Sequence, residues 1–176
     1  MARDGKQLAI LKKAAKCAPQ DSTFRARLNA AIGGDMEVGV HLGVFVEPFL
    51  EAILDGRKTI ESRFGVHRCT PFEKVQRGDI IMLKRSGGPV VGLALAGAAS
   101  YYELTPDVLG DLRDRFAAQL YAEDDDFWAA RADKRFASLI EIDDTVKIDT
   151  MSVDKRDRRG WVTYVDGRQP CLGLAG

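Results

Sequence analysis

The stretch Asp55-Gly56-Arg57-Lys58-Thr59-Ile60-Glu61-Ser62-Arg63 changes character at its glycine. Before it, Glu47-Pro48 opens a short helix in which Phe49, Leu50, Ile53 and Leu54 are apolar, and Gly56 stands where a helix ends on a left-handed residue. After it, residues 59–64 alternate polar and apolar as a strand does. Side chains two apart share a face of a strand, so Thr59, Glu61 and Arg63 are expected together, with Ser62 on the opposite face. Lys58 sits at the mouth of that strand, where the turn can swing its amine toward Glu61.

Outward from this point the pattern stays rich in strands. Upstream, Val40, Leu42, Val44 and Val46 alternate as an earlier strand. Downstream, Arg77-Gly78-Asp79 reads as a turn into a strand at 80–83, and Gly87-Gly88 as a hairpin to a strand at 90–96. Thr105-Pro106-Asp107 is a helix start, followed by Leu109, Leu112, Phe116 and Leu120 at helical spacing. An acidic run at 123–126 introduces a short segment with Phe127 and Trp128, and strands are expected at 136–142, 146–148 and 161–165. The first 37 residues read as two amphipathic helices, with Leu8, Leu11 and Ala15 on one face and Phe24, Leu28 and Ile32 on the other helix's face. Pro19 and Asp21-Ser22 separate them, and Lys6, Lys12, Lys13, Lys16, Arg25 and Arg27 read as their solvated side. Strands that do not alternate with helices argue against a doubly wound sheet. The expected fold class is α+β, a small mixed β-barrel with flanking helices, carrying an accessory N-terminal helical extension.

Composition narrows the partners. The chain has 176 residues, 45% hydrophobic and 30% charged, with 26 basic and 26 acidic side chains that cancel. Without a net positive field, contact with nucleic acid has to be local. Cys17, Cys69 and Cys171 lack the paired spacing of a zinc site or a disulfide framework, which fits a reducing, cytoplasmic setting. No apolar run approaches the ~20 residues of a membrane span, so no membrane partner is expected. No phosphate loop, dinucleotide glycine fingerprint or zinc-protease motif is present, and nothing calls for a cofactor or a metal.

The spacing Gly56-x-Lys58-x-x-Glu61-x-Arg63 resembles the G-x-K-x-x-E-x-R signature of the ASCH domain family, a branch of the PUA-like superfamily. The elements from His41 to Leu54, the Arg77-Gly78-Asp79 turn, the following hairpin and Phe136-Ala137-Ser138-Leu139-Ile140 also look like that family. The resemblance implies a PUA-like domain at 38–150, between the helical extension at 1–37 and a tail at 151–176 with one added strand. It further implies a cleft lined by the signature residues. Members of the superfamily bind RNA, and ASCH members include ribonucleases and amidohydrolases that act on acylated cytidine.

The side chains suit such a ligand. A lysine beside a glutamate in a partly dry cleft has its proton affinity raised by the partner and lowered by desolvation. Arg63 offers a planar fork for a phosphate or a base edge. The expected ligand-binding residues are therefore Lys58, Thr59, Glu61 and Arg63, with His67 and Arg68 from the next loop. In an enzyme, Lys58 and Glu61 would be the catalytic pair, with Glu103 or Glu123 as a second acid-base group. Tyr101, Tyr102 and Trp128 are candidate platforms for a base, whereas His41 reads as structural. Lys155, Arg156, Arg158 and Arg159 form a basic turn broken by Asp157. The bland alternative is that Lys58, Glu61 and Arg63 form a surface ion-pair network. The expected function is binding of RNA or of a nucleoside or nucleotide. The alternatives are hydrolysis in the same cleft and a protein-interaction module docking through the N-terminal helices.

Overall fold

The computed structural model describes residues 5–35, 37–154 and 159–167. The elements run α1 (Gly5–Cys17), α2 (Thr23–Gly33), β1 (Val40–Phe45), α3 (Phe49–Leu54), β2 (Ile60–Gly65), β3 (Ile80–Arg85) and β4 (Val90–Glu103). They continue α4 (Pro106–Phe116), α5 (Asp125–Ala129), β5 (Phe136–Met151) and β6 (Trp161–Val165). The strands form one mixed sheet in the order β2-β5-β4-β3-β1-β6, in which β1 and β3 are parallel and the other pairs antiparallel. The sheet curls into a half-barrel, so the fold is α+β.

Strand periodicity builds the two cores. Ile80 and Met82 of β3 point to one core, together with Val40, Leu42 and Leu93, while Ile81 and Leu83 point to the other with Phe45, Ala94 and Ile140. Helices α1 and α2 cover the first core with Leu11, Ala14, Phe24, Leu28 and Ala31, all buried. Helix α3 closes the second with Leu50 and Ile53. A third cluster joins Ile60, Ala137 and Leu139 of β2 and β5 to Leu112 of α4 and Trp128 of α5.

Three expectations need correction. The N-terminal helices are not an accessory, because their apolar stripes lie in the same core as the sheet. Arg25 donates to the carbonyls of Lys16 and Ala18, and Arg27 to that of Gly78, so these two cations are also structural. The strands expected at 136–142 and 146–148 are one, β5, because Thr145 and Asp144 keep pairing with Ala94 and Leu95 while facing solvent. The hairpin strand expected to end at residue 96 runs on to Glu103, with register shifts between Leu95 and Ala99 that bend it. Among the described residues, no helix is long and apolar enough to cross a membrane. Cys17 and Cys69 are free thiols, and Cys171 lies outside the described residues.

Candidate functional site

Lys58 is placed by the end of α3. Asp55 caps the helix, Gly56 takes the left-handed conformation with φ 74°, and the N–H groups of Arg57 and Lys58 both donate to the Ala52 carbonyl, at 2.8 and 2.9 Å. The chain then enters β2 with its lysine directed inward. Lys58 is 2% exposed and Glu61 5%. The Lys58 amine donates to the Leu120 carbonyl at 2.8 Å, lies 3.5 Å from Glu61 Oε2 and stands 5.5 Å from the centre of the Phe49 ring. Desolvation pushes its proton affinity below the ordinary lysine range, against the attraction of Glu61. The sequence left that direction open; burial decides it.

Arg63 occupies a position that its strand alone does not reveal. Its Nε lies 2.7 Å from Glu61 Oε1 as an ion pair without an aligned hydrogen bond. The remaining nitrogens donate to the carbonyls of Val44 at 2.9 Å and Gly160 at 3.2 Å. Its guanidinium stands 4.8 Å from the Phe45 ring centre and 5.2 Å from that of Trp161. Strands β2 and β6 are the two edges of the sheet, so this side chain spans the open seam of the half-barrel. Its fork is already engaged by the protein, and an alanine there would report on the seam as well as on any ligand.

Beside the seam lies a cleft of about 480 Å³, lined by Val44, Val46 and Phe49 on one side and Lys58, Glu61, Ser62, Arg63 and Phe64 on another. Phe127, Ala130, Arg131 and Lys134, from α5 and the turn after it, form the remaining wall. The volume falls in the range of small-molecule sites. Val46, at 55% exposure, is one of two large apolar side chains exposed among the described residues, and it stands on the rim.

Lys58, Glu61 and Arg63 are thus brought together, and other candidates are not. Thr59 is exposed and outside the cleft. Its N–H and that of Ile60 both donate to the Gln119 carbonyl at 3.0 Å, so the strand begins one residue later than alternation suggested and the hydroxyl turns outward. Ser62, expected on the far face, lines the cleft. His67 borders a separate, small depression beyond Arg63. Arg68 pairs with Glu103 in solvent and stands over Phe72 and Phe136, which removes both Arg68 and Glu103 from the cleft. Glu123 is exposed and does not line the cleft. Tyr101 exchanges hydrogen bonds with the Val75 backbone, Trp128 donates to the Ala122 carbonyl at 2.7 Å, and Tyr102 packs in the third cluster. The aromatic lining comes instead from Phe45, Phe49, Phe64 and Phe127. Lys155, Arg156 and Arg158 lie outside the described residues.

Sequence reasoning missed Arg131 and Lys134. Arg131 donates to the Phe127 carbonyl at 2.6 Å and stacks 3.4 Å from the centre of the Phe127 ring. An arginine four residues after an aromatic in a helical turn was the available signal, because that spacing puts the two on one face.

No protein-family profile matches the chain, and no curated protein matches it. Solved structures do. The crystal structure of ASCH from Zymomonas mobilis is similar with a TM-score of 0.53 and 18% identity, covering 68% of this chain and 76% of that one. Two mutant forms of the Zymomonas protein are similar at TM-scores of 0.52 and 0.53, with 16% and 17% identity, covering 65% and 68% of this chain and 76% and 77% of theirs. The chain has an ASCH-like fold.

Proposed function

We propose that the chain is an ASCH-type module that binds RNA or a nucleoside in the seam cleft, with Lys58 and Glu61 at its floor. The observation that carries this reading is a buried Lys58–Glu61 pair facing a cleft walled by Phe49, Phe64 and Phe127. Aromatic faces take bases by stacking, and the amine and carboxylate offer a donor and an acceptor to a base edge. Calorimetric titration of the full chain with a short mixed-sequence RNA and the four ribonucleosides tests it. Lys58→Met keeps the stem and removes the donor, and is expected to weaken binding about tenfold or more. Affinity equal to the parent's would overturn the assignment.

The same variant gives a pH signature. Burial makes the folded state hold the Lys58 proton less tightly than the unfolded chain does, so the unfolded state binds more protons between the two values. Stability contributed by Lys58 therefore rises with pH from its depressed folded-state value up to the ordinary lysine range. Urea midpoints of parent and Lys58→Met, compared between about pH 7 and about pH 10, are expected to shift in favour of the parent as pH rises. Parallel midpoints across that range would contradict the burial account.

That lowered proton affinity also favours a second reading, hydrolysis. A Lys58 amine that burial makes readier to give up its own proton, beside Glu61, is placed to take one from a ribose 2′-hydroxyl or from water, as ribonuclease or acylcytidine amidohydrolase chemistry requires. Product formation that Lys58→Met abolishes while ligand affinity survives would decide for catalysis. The apolar faces of α1 and α2 are covered by the sheet and offer no docking stripe to a partner helix.

A further inference from the structure

The cleft holds more positive charge than its floor can neutralise. Lys58 and Arg63 share one carboxylate, Glu61. Arg131 stands on the opposite wall with no carboxylate partner among the described ion pairs, while Lys134 is held by Asp133 at 2.7 Å. Lys58, Arg63 and Arg131 thus share the single carboxylate of Glu61 beside an aromatic-walled cavity. The Arg131 Nε is buried without a hydrogen-bond acceptor, and a buried donor left unsatisfied is costly. Its other visible ties are one bond to the Phe127 carbonyl and stacking on the Phe127 and Phe64 rings. These ties fix the plane of the guanidinium, and the Glu61 carboxylate reaches its charge only through space, without an ion-pair contact.

We propose that Arg131 is the anion-recognising residue of this cleft, and that the ligand is a nucleotide whose phosphate sits on Arg131 at the Lys134 end while its base lies among the phenylalanines. This rests on the nucleoside-binding reading above and sharpens it: the cleft selects a phosphorylated nucleotide over the neutral nucleoside. Arginine suits the task because a stacked guanidinium keeps its donors in a fixed plane for phosphate oxygens. Arg63 does not serve, because its donors are engaged by Val44 and Gly160.

The test is calorimetric titration of the full chain, Arg131→Ala and Arg131→Gln with inorganic phosphate, the four ribonucleosides, their 5′-monophosphates and a tetranucleotide RNA without terminal phosphate. Glutamine keeps an amide donor for the Phe127 carbonyl, so it separates loss of charge from loss of local structure. The parent is expected to bind its preferred monophosphate about tenfold or more tightly than the matching nucleoside. Both variants are expected to lose that preference, the monophosphate falling to the affinity of the matching nucleoside measured in the same variant. Tighter binding of the tetranucleotide than of any monophosphate, equally lost in the variants, supports a backbone phosphate as the anion; the reverse order supports a free nucleotide. Phosphate binding by the parent alone, with no binding that depends on a base, supports the anion site and overturns the nucleoside reading beneath it. Equal affinity for nucleoside and nucleotide in the parent, or a preference that survives in both variants, overturns the proposal. A drop in melting temperature with the preference intact would make Arg131 a purely structural stack and overturn it as well.

Discussion

Replacing Asp79 by alanine is expected to lower the unfolding free energy by about 3–5 kcal/mol. Asp79 is fully buried at the turn into β3. One carboxylate oxygen accepts the Gly39 N–H at 2.8 Å, and the other accepts the Gln76 N–H at 2.8 Å and His41 Nε2 at 3.0 Å. His41 in turn lies 3.1 Å from the Thr163 hydroxyl through Nδ1, so one carboxylate ties β1, the β3 turn and β6 together. Gly39 is part of the arrangement, because a Cβ there would stand 2.5 Å from the carboxylate. Alanine at 79 strands two backbone N–H groups and an imidazole in a dry site, each costing about 1–3 kcal/mol. Denaturant unfolding of parent and variant measures the difference. A loss below about 1 kcal/mol would mean that water enters and replaces the carboxylate.

Removing residues 1–37 is expected to abolish cooperative folding. Leu11, Phe24 and Leu28 are buried against Val40, Leu42, Ile80 and Met82, and burial of each such side chain contributes about 1.5–3 kcal/mol. Together with the apolar sheet face that the deletion uncovers, this approaches the whole stability of a typical domain, about 5–15 kcal/mol. Circular dichroism melting and amide proton dispersion of the 38–176 fragment check it. A sharp melt with dispersed resonances would show that the sheet stands without the helices. The result also bears on the docking alternative, since stripes that looked available for a partner helix in the sequence are filled from within.

What the sequence made legible was local. The Gly56 stop, the inward Lys58 and the pairing of Glu61 with Arg63 depend on residues within one turn and one strand, where periodicity is informative. Thr59 failed because its N–H is claimed by Gln119, sixty residues away, which delays the strand. Arg63 looked free for the same reason: the Gly160 and Trp161 that engage it arrive from the last strand. Arg131 and Lys134 were passed over because only the folded position of α5 brings them to the cleft. The split of β5 followed from reading polar residues as a break, whereas Asp144 and Thr145 stay paired with Leu95 and Ala94 of β4 and only Asp143 falls in a register shift.

Ligand is expected to enter the seam cleft between β1, β2 and α5. The most direct measurement is an amide chemical-shift titration of the ¹⁵N-labelled full chain with the four ribonucleoside monophosphates and a short RNA. Saturable shifts are expected to concentrate in residues 44–49, 58–64 and 127–134, the segments that line the cleft. Saturable shifts centred elsewhere, on α1 and α2 above all, or spectra unchanged by every one of these ligands, would contradict entry at this cleft.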